Sequence, residues 1–255
     1  MKLWTINTHS ISEADYERKL VEFADAAAKH RPDIIAMQEV NQLHTGPDTG
    51  AHEDNHALRA VRLIEERGVC YYWCWLPVKL GFGKYDEGLA ILSLSPIAEK
   101  EEILISRSSD YFNWKTRKIL GVRCEGSSEW FYNVHMGWWD DDEEPFSEHW
   151  KRLSERVKGK SCWLMGDFNS RADARGGGYD LVRSSGFYDT FELAEERDGG
   201  ATVIKSIDGW KGNTDAMRLD YIFTSEKQRI KKSRVIFNGG ELPVISDHFG
   251  VEVCF

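Results

Sequence analysis

With 255 residues the chain suits one large domain or two small ones, and its 41% apolar and 29% charged side chains are an ordinary globular balance with material for a proper core. No stretch approaches the roughly 18 apolar residues of a membrane-spanning helix. The net charge of −9 argues against a nucleic-acid grip, because the only basic clusters, Lys115 to Lys118 and Arg229 to Arg234, are short. Carboxylates that hold metal add negative charge themselves, so the acidic total lowers a nuclease reading without removing it.

In chain order, Leu3 to Asn7 reads as a short strand. Ser12 with Asp15 resembles a capping box, and Tyr16, Leu20, Phe23 and Ala27 then recur at helical spacing to about His30, where Pro32 stops the helix. Asp33 to Val40 is an apolar strand, and Thr45 to Glu53 a loop rich in Gly, Pro and Asp. Leu58, Val61 and Ile64 mark a second helix ended by Gly68. Strand-like runs follow at Val69 to Leu76, Gly88 to Leu94, Ile97 to Ile105, Ile119 to Cys124 and Trp130 to Val134. Phe146, Trp150, Leu153 and Val157 mark a third helix. Ser161 to Met165, Arg218 to Phe223, Ile230 to Phe237 and Phe249 to Cys254 complete the strands. Neither a repeat nor a linker interrupts the chain; Gly176 to Gly178 and Gly199-Gly200 read as loops. The pattern predicts one mixed α/β domain over residues 1–255.

The five cysteines are odd in number and lack a metal-finger spacing, and Cys70 and Cys74, set among aromatics, read as buried thiols. Free thiols and an N-terminus running straight into a strand predict a cytoplasmic protein without a secretory leader.

Polar residues gather at the ends of apolar strands. Asn7 closes the first, Glu39 the second and His135 a middle one; Asp167 and Asn169 follow Cys-Trp-Leu-Met-Gly, Asp220 lies in Arg-Leu-Asp-Tyr-Ile-Phe, and Asp247-His248 precedes the last strand. A sheet brings such ends together. Carboxylates and amides without a thiolate motif suit a hard ion such as Mg²⁺ better than zinc. Taken singly, each has an ordinary explanation as a solvated strand end, a cap or a core histidine. The joint pattern carries the chemistry.

That pattern resembles the endonuclease/exonuclease/phosphatase superfamily. Trp4 to Asn7, Ile35 to Val40, Tyr85 to Ser93, Asn133 to His135, Met165 to Ser170, Arg218 to Phe223 and Ser246 to His248 look like its motifs, in family order along nearly the whole chain. The resemblance implies a four-layer α/β/β/α sandwich of two mainly antiparallel sheets and a phosphoester hydrolase dependent on Mg²⁺, with Mn²⁺ as the alternative. It implies Glu39 as principal metal ligand, with Asn7 and Asp247 completing the shell. Asp167 would orient or deprotonate the attacking water, and Asn169 would position water and phosphate. His248, fixed by Asp220, and His135 would contact the phosphate. Glu87 stands where some members place the carboxylate partner of His135, and Arg117 where some keep a phosphate-binding arginine.

Segments around Asn113 to Arg117, His135 to Asp140 and Gly209 to Lys211 look like a bacterial subgroup containing maltose 6′-phosphate phosphatases. Trp138 and Trp139, followed by five consecutive acids from Asp140 to Glu144, are placed to overhang the site. The aromatics, with Trp210, would stack on a sugar while the acids bind hydroxyls and repel a polyanion. A phosphorylated sugar is therefore the expected substrate, and a nuclease using Lys115 to Lys118 as its basic track is the alternative.

Overall fold

Strands apolar on both faces need cover on both sides, and this chain supplies it by packing two sheets face to face under helices. The computed structural model describes residues 1–46, 50–207 and 209–255; of the loop expected at Thr45 to Glu53, Pro47 to Thr49 lie outside the described residues. Its first half runs β1 (Lys2–Asn7), α1 (Tyr16–His30), β2 (Ile34–Leu43), α2 (His56–Glu66), β3 (Tyr72–Gly81), β4 (Tyr85–Ser93), β5 (Ile97–Leu104), β6 (Lys118–Cys124) and β7 (Trp130–His135). Then come α3 (Phe146–Val157), β8 (Cys162–Asp167), α4 (Gly178–Ser184), β9 (Tyr188–Asp189), α5 (Thr190–Leu193), β10 (Ala194–Arg197), β11 (Asp220–Thr224), β12 (Ile230–Ile236) and β13 (Gly250–Cys254).

One sheet has the order β10-β12-β13-β1-β2-β4-β3 and the other β5-β6-β7-β8-β11-β9. The pairs β1·β2, β7·β8 and β10·β12 are parallel and the rest antiparallel. Alternation sorts the layers. Leu3, Ile34, Ala36 and Ile91 face inward against Val122, Phe131, Trp163 and Met165 of the other sheet. Trp4, Ile35 and Met37 point outward under Leu20, Phe23, Ala60 and Ile64 of α1 and α2. Tyr132, Leu164 and Phe223 lie under Phe146, Trp150 and Leu153 of α3. Burying each such Leu, Ile or Phe contributes about 1.5–3 kcal/mol. The result is the four-layer α/β/β/α sandwich.

Some local expectations change. The Ser12–Asp15 capping box does not form: Ser10–Ser12 is a short 3-10 turn, and Asp15 caps α1 in a left-handed conformation without a side-chain bond. Cys70 is exposed and Cys74 only partly buried, because the strand begins at Tyr72 on a sheet edge; all five thiols are free. Trp4, Trp75 and Trp163 pack in the core, and Trp73 and Trp130 are partly covered. Gly178 begins α4 instead of lying in a loop. Strand β3 extends through Pro77 to Gly81, beyond the expected end at Leu76.

That extension matters because the strands flanking β4 both bulge beside Gly88. Register shifts occur between Met37 and Val40 in β2 and between Pro77 and Lys79 in β3, and both Val40 and Pro77 face Gly88. An extra residue in a strand turns its neighbours toward the other face. In β2 this residue is Glu39, left-handed at φ 53°. In β3 the bulge tolerates Pro77, which needs no ladder donor there. The indole of Trp75 fills the gap and donates to the Val40 carbonyl at 3.1 Å. A Cβ on residue 88 would lie 2.4 Å from the Leu76 carbonyl oxygen and 2.5 Å from Trp75 Nε1. Gly88→Ala should therefore destabilise the protein by about 1–3 kcal/mol, read as a lower urea midpoint. An unchanged midpoint would mean that the bulges absorb the methyl.

Candidate active site

In the six-stranded sheet, His135, Asp167 and Asp220 stand at one register level, with Asp167 paired to both neighbours. The opposing sheet contributes Asn7 at the end of β1, Glu39 at the bulge and Glu87 on β4. The turn before β13 adds Asp247 and His248, tied down by Ser246 Oγ, which donates to the Asn7 carbonyl at 2.7 Å. The two sheets are joined beneath this point. Gln38 Nε2 donates to Asn133 Oδ1 at 2.6 Å, and Asn133 Nδ2 donates to the carbonyls of Met37 and Ala90, each at 2.8 Å.

Side-chain bonds then set each group. Asn7 Nδ2 donates to Glu39 Oε1 at 2.9 Å and Asp167 Oδ2 at 3.2 Å, linking the two carboxylates across the sheets. Asn169, left-handed at φ 46°, donates its backbone N–H to Asp167 Oδ1 at 2.8 Å and its amide to the Met136 carbonyl at 3.0 Å. Non-glycine residues in this conformation are strained, and Glu39, Asn169 and His9 all adopt it around one cavity.

The two histidines differ in charge. Burial pulls the His248 ring down, but Asp220, 2.9 Å from Nδ1, and Asp167 outweigh it and raise the pKa to about 10. Burial, with Arg117 and Lys79 adding to it, drives His135 well below its usual value and leaves it neutral. The Nε2 atoms of both rings stand 3.8 Å from Asp167 Oδ2. Burial and the Asp220 charge push the Asp167 carboxyl up to about 7. Burial and the Glu87 charge likewise raise Glu39.

The cavity has a volume of about 360 Å³. Of the residues singled out in the sequence, Glu39, Glu87, Asp167, Asp247, Asn169, His135, His248, Arg117 and Trp138 line it; Asn7 and Asp220 hold the lining from behind. Trp139 and Trp210 do not line it. Trp139 leans on Phe146, and Trp210 Nε1 reaches Asn169 Oδ1 at 3.4 Å. Glu87 is not beside His135 either. The cross-strand register sets it opposite Lys79, whose Nζ is 3.1 Å from Glu87 Oε1.

The acids after Trp139 are largely spent on structure. Asp141 and Glu143 bind Lys115, Asp141 also accepts from the backbone N–H groups of Glu143 and Glu144, and Glu144 accepts from those of Arg107 and Ser108. The same bonds neutralise Lys115 of the basic track anticipated at Lys115 to Lys118, while Arg117 is buried; Arg229 and Arg234 pair with Glu195, Glu241 and Glu252.

Six lining residues had no site role in the sequence reading: His9, Lys79, Gly81, Phe82, Trp114 and Ile207. His9 is clamped by Glu13 at 2.7 Å and lies 4.0 Å from Asp247; despite burial, the Glu13 bond raises its pKa to about 9. Lys79 lies in an apolar run, Leu76 to Leu80, but Pro77 masks it by reading as the end of the strand.

Donor clusters form at His9, Glu13 and Asp247 and at Asp167, Asp220 and His248, and in both a histidine already occupies the carboxylates. Glu39 differs. It faces the cavity with Asp247 and Asp167 nearby, and burial and Glu87 oppose its charge. A buried carboxylate with oxygen donors beside it, whose charge burial and a neighbouring acid oppose, fits a hard divalent cation.

The profile of the Endonuclease/Exonuclease/phosphatase family matches residues 4–248. The chain belongs to this family. A solved family member from Leptotrichia buccalis is 33% identical with a TM-score of 0.91, covering 100% of this chain and 98% of that one. The same fold occurs in the mannosyl-6-phosphatase of Bacteroides thetaiotaomicron, at 20% identity and TM-score 0.68, covering 100% and 98% of the chains. It occurs also in a 3'-5' exonuclease of Neisseria meningitidis, at 19% identity and TM-score 0.69, covering 100% and 99%. Among curated proteins no match was found. Membership makes the protein a phosphoric ester hydrolase.

Because His248 is raised above its ordinary value on folding, its charge stabilises the protein fully below pH 6.5, and that contribution is lost as pH rises through about 10. Asp220→Asn should lower the His248 pKa and remove most of this alkaline dependence. Urea unfolding of the metal-free protein between these limits checks it; identical pH slopes in both proteins would refute the pairing.

Proposed function

We propose that residues 1–255 form one catalytic unit, a Mg²⁺-dependent phosphomonoesterase acting on a phosphorylated sugar of the maltose 6′-phosphate type. The shape of the site carries this reading. The carboxylates lie in a cavity walled by Phe82, Trp114, Trp138 and Ile207, and the basic residues nearest it are buried or paired with acids. Such a site suits a small ligand with apolar ring faces, whereas a strand requires cations along an open groove. The mannosyl-6-phosphatase on the same fold supports sugar-phosphate chemistry, and five free thiols support a cytoplasmic location. No helix among the described residues is long and apolar enough to cross a membrane.

Glu39 and Asp247, with Asn7, would hold the cation, which supplies Lewis-acid stabilisation of the phosphoryl oxygens and leaving group. Asp167, poised by burial and fixed by Asn7 and Asn169, orients the attacking water and takes its proton. Charged His248 and Arg117 meet the charge that builds on the phosphoryl oxygens, and neutral His135 adds a hydrogen bond. Trp138 and Trp114, with ring centroids 5.7 Å apart, give the sugar an aromatic wall.

Asp167→Asn and His248→Ala should each lower kcat by about 10²–10⁴-fold with an unchanged circular dichroism spectrum. Near-wild-type turnover in either would sink the assignment. Phosphate release from a panel of sugar phosphates with Mg²⁺, abolished by chelation, tests the substrate class. Salt-dependent cleavage of DNA without sugar-phosphate turnover would overturn it in favour of a nuclease.

A further inference from the structure

Two cations share one wall of the cavity. Lys79 is buried, aimed inward by the β3 bulge and bonded to Glu87. Arg117, also buried, has no carboxylate within 4.0 Å among the described residues; its Nη1 donates to the carbonyls of Trp114 and Thr116, and its Nε has no partner. Among the described residues Glu87 is the one carboxylate within 4.0 Å of either cation, whereas His248 is bonded to Asp220.

We infer that Lys79 is the residue that makes the site select phosphate monoesters over diesters. This rests on reading the cavity as a phosphoester hydrolase site. A monoester carries about −1.5 to −2 charge near neutral pH and three terminal oxygens. A diester carries a single charge and two such oxygens. Arg117, His248 and the catalytic cation can serve the groups common to both. The added charge and oxygen of the monoester need one more cation, and Lys79 is the cation beside Arg117. An ammonium with three donors can bond Glu87 and still offer a hydrogen to the phosphate. The discrimination is electrostatic: the same charge that binds a dianion adds little for a monoanion.

Removing Lys79 alone strands Glu87 in a buried position, so the test uses three variants: Lys79→Met, Lys79→Arg and the double Lys79→Met/Glu87→Gln, which deletes the pair together. The readout is kcat/KM with Mg²⁺ for p-nitrophenyl phosphate and bis(p-nitrophenyl) phosphate, with inhibition by inorganic phosphate. Lys79→Met and the double variant should reduce the monoester-to-diester ratio at least about tenfold and weaken phosphate inhibition similarly, while Lys79→Arg retains most of the preference. Equal losses on both substrates, or full recovery of monoester preference in the double variant, would reduce Lys79 to a neutraliser of Glu87 and overturn the inference. A wild-type preference for the diester would instead overturn the phosphatase reading.

Discussion

The absence of a side chain at Gly88 is the constraint on which the site depends. The carbonyl of Leu76 and the indole of Trp75 occupy the space where a Cβ would stand, and only this approach lets both flanking strands carry an extra residue at one level. One bulge turns Glu39 into the cavity and the other turns Lys79, with Glu87 on the strand between them. A regular sheet would alternate these side chains differently and send part of the set into the helix layer. Asn133 bonds the two carbonyls beside the irregularity and holds the opposing sheet against it.

Charge is organised in the same local way. Pairing with Asp220 keeps one histidine cationic, while Arg117 and Lys79 help hold the other neutral. One scaffold therefore offers two imidazoles of different character within 3.8 Å of a single carboxylate. The acidic segment after Trp139 serves the wall of the cavity more than its contents. Lys115 pins Asp141, and Glu144 caps the turn at Arg107 and Ser108, so Trp138 is carried by a cross-braced loop.

The layers and most strands were legible because inward and outward apolar residues alternate and charged turns separate them. Motif residues at strand ends were legible for the same reason: a polar residue closing an apolar run stands out. Lys79 was not, because Pro77 reads as the end of a strand and only the bulge explains why pairing continues past it. Glu87 lies in the cavity but faces Lys79 and not His135, since motif order carries no information about cross-strand register. Trp139 looked equivalent to Trp138, yet adjacent residues on a turning loop face different ways, and Trp210, from a separate loop, spends its indole N–H on Asn169. Short helices such as α5 follow from tertiary packing around Asp189, whose side chain caps it, and offer little periodicity.

The pairing of β1 with β13 has a consequence for how the molecule comes into being. Leu3 is registered with Val253, and β13 is inserted between β1 and β12, so β1 gains its second neighbour only when a strand far along the chain arrives. The turn that delivers Asp247 and His248 lies just before that final strand. Such long-range closure is slow, because the chain must give up its freedom before the contacts reward it. Until β13 docks between its two partners, the turn carrying Asp247 and His248 has no sheet edge to hold it against Asn7.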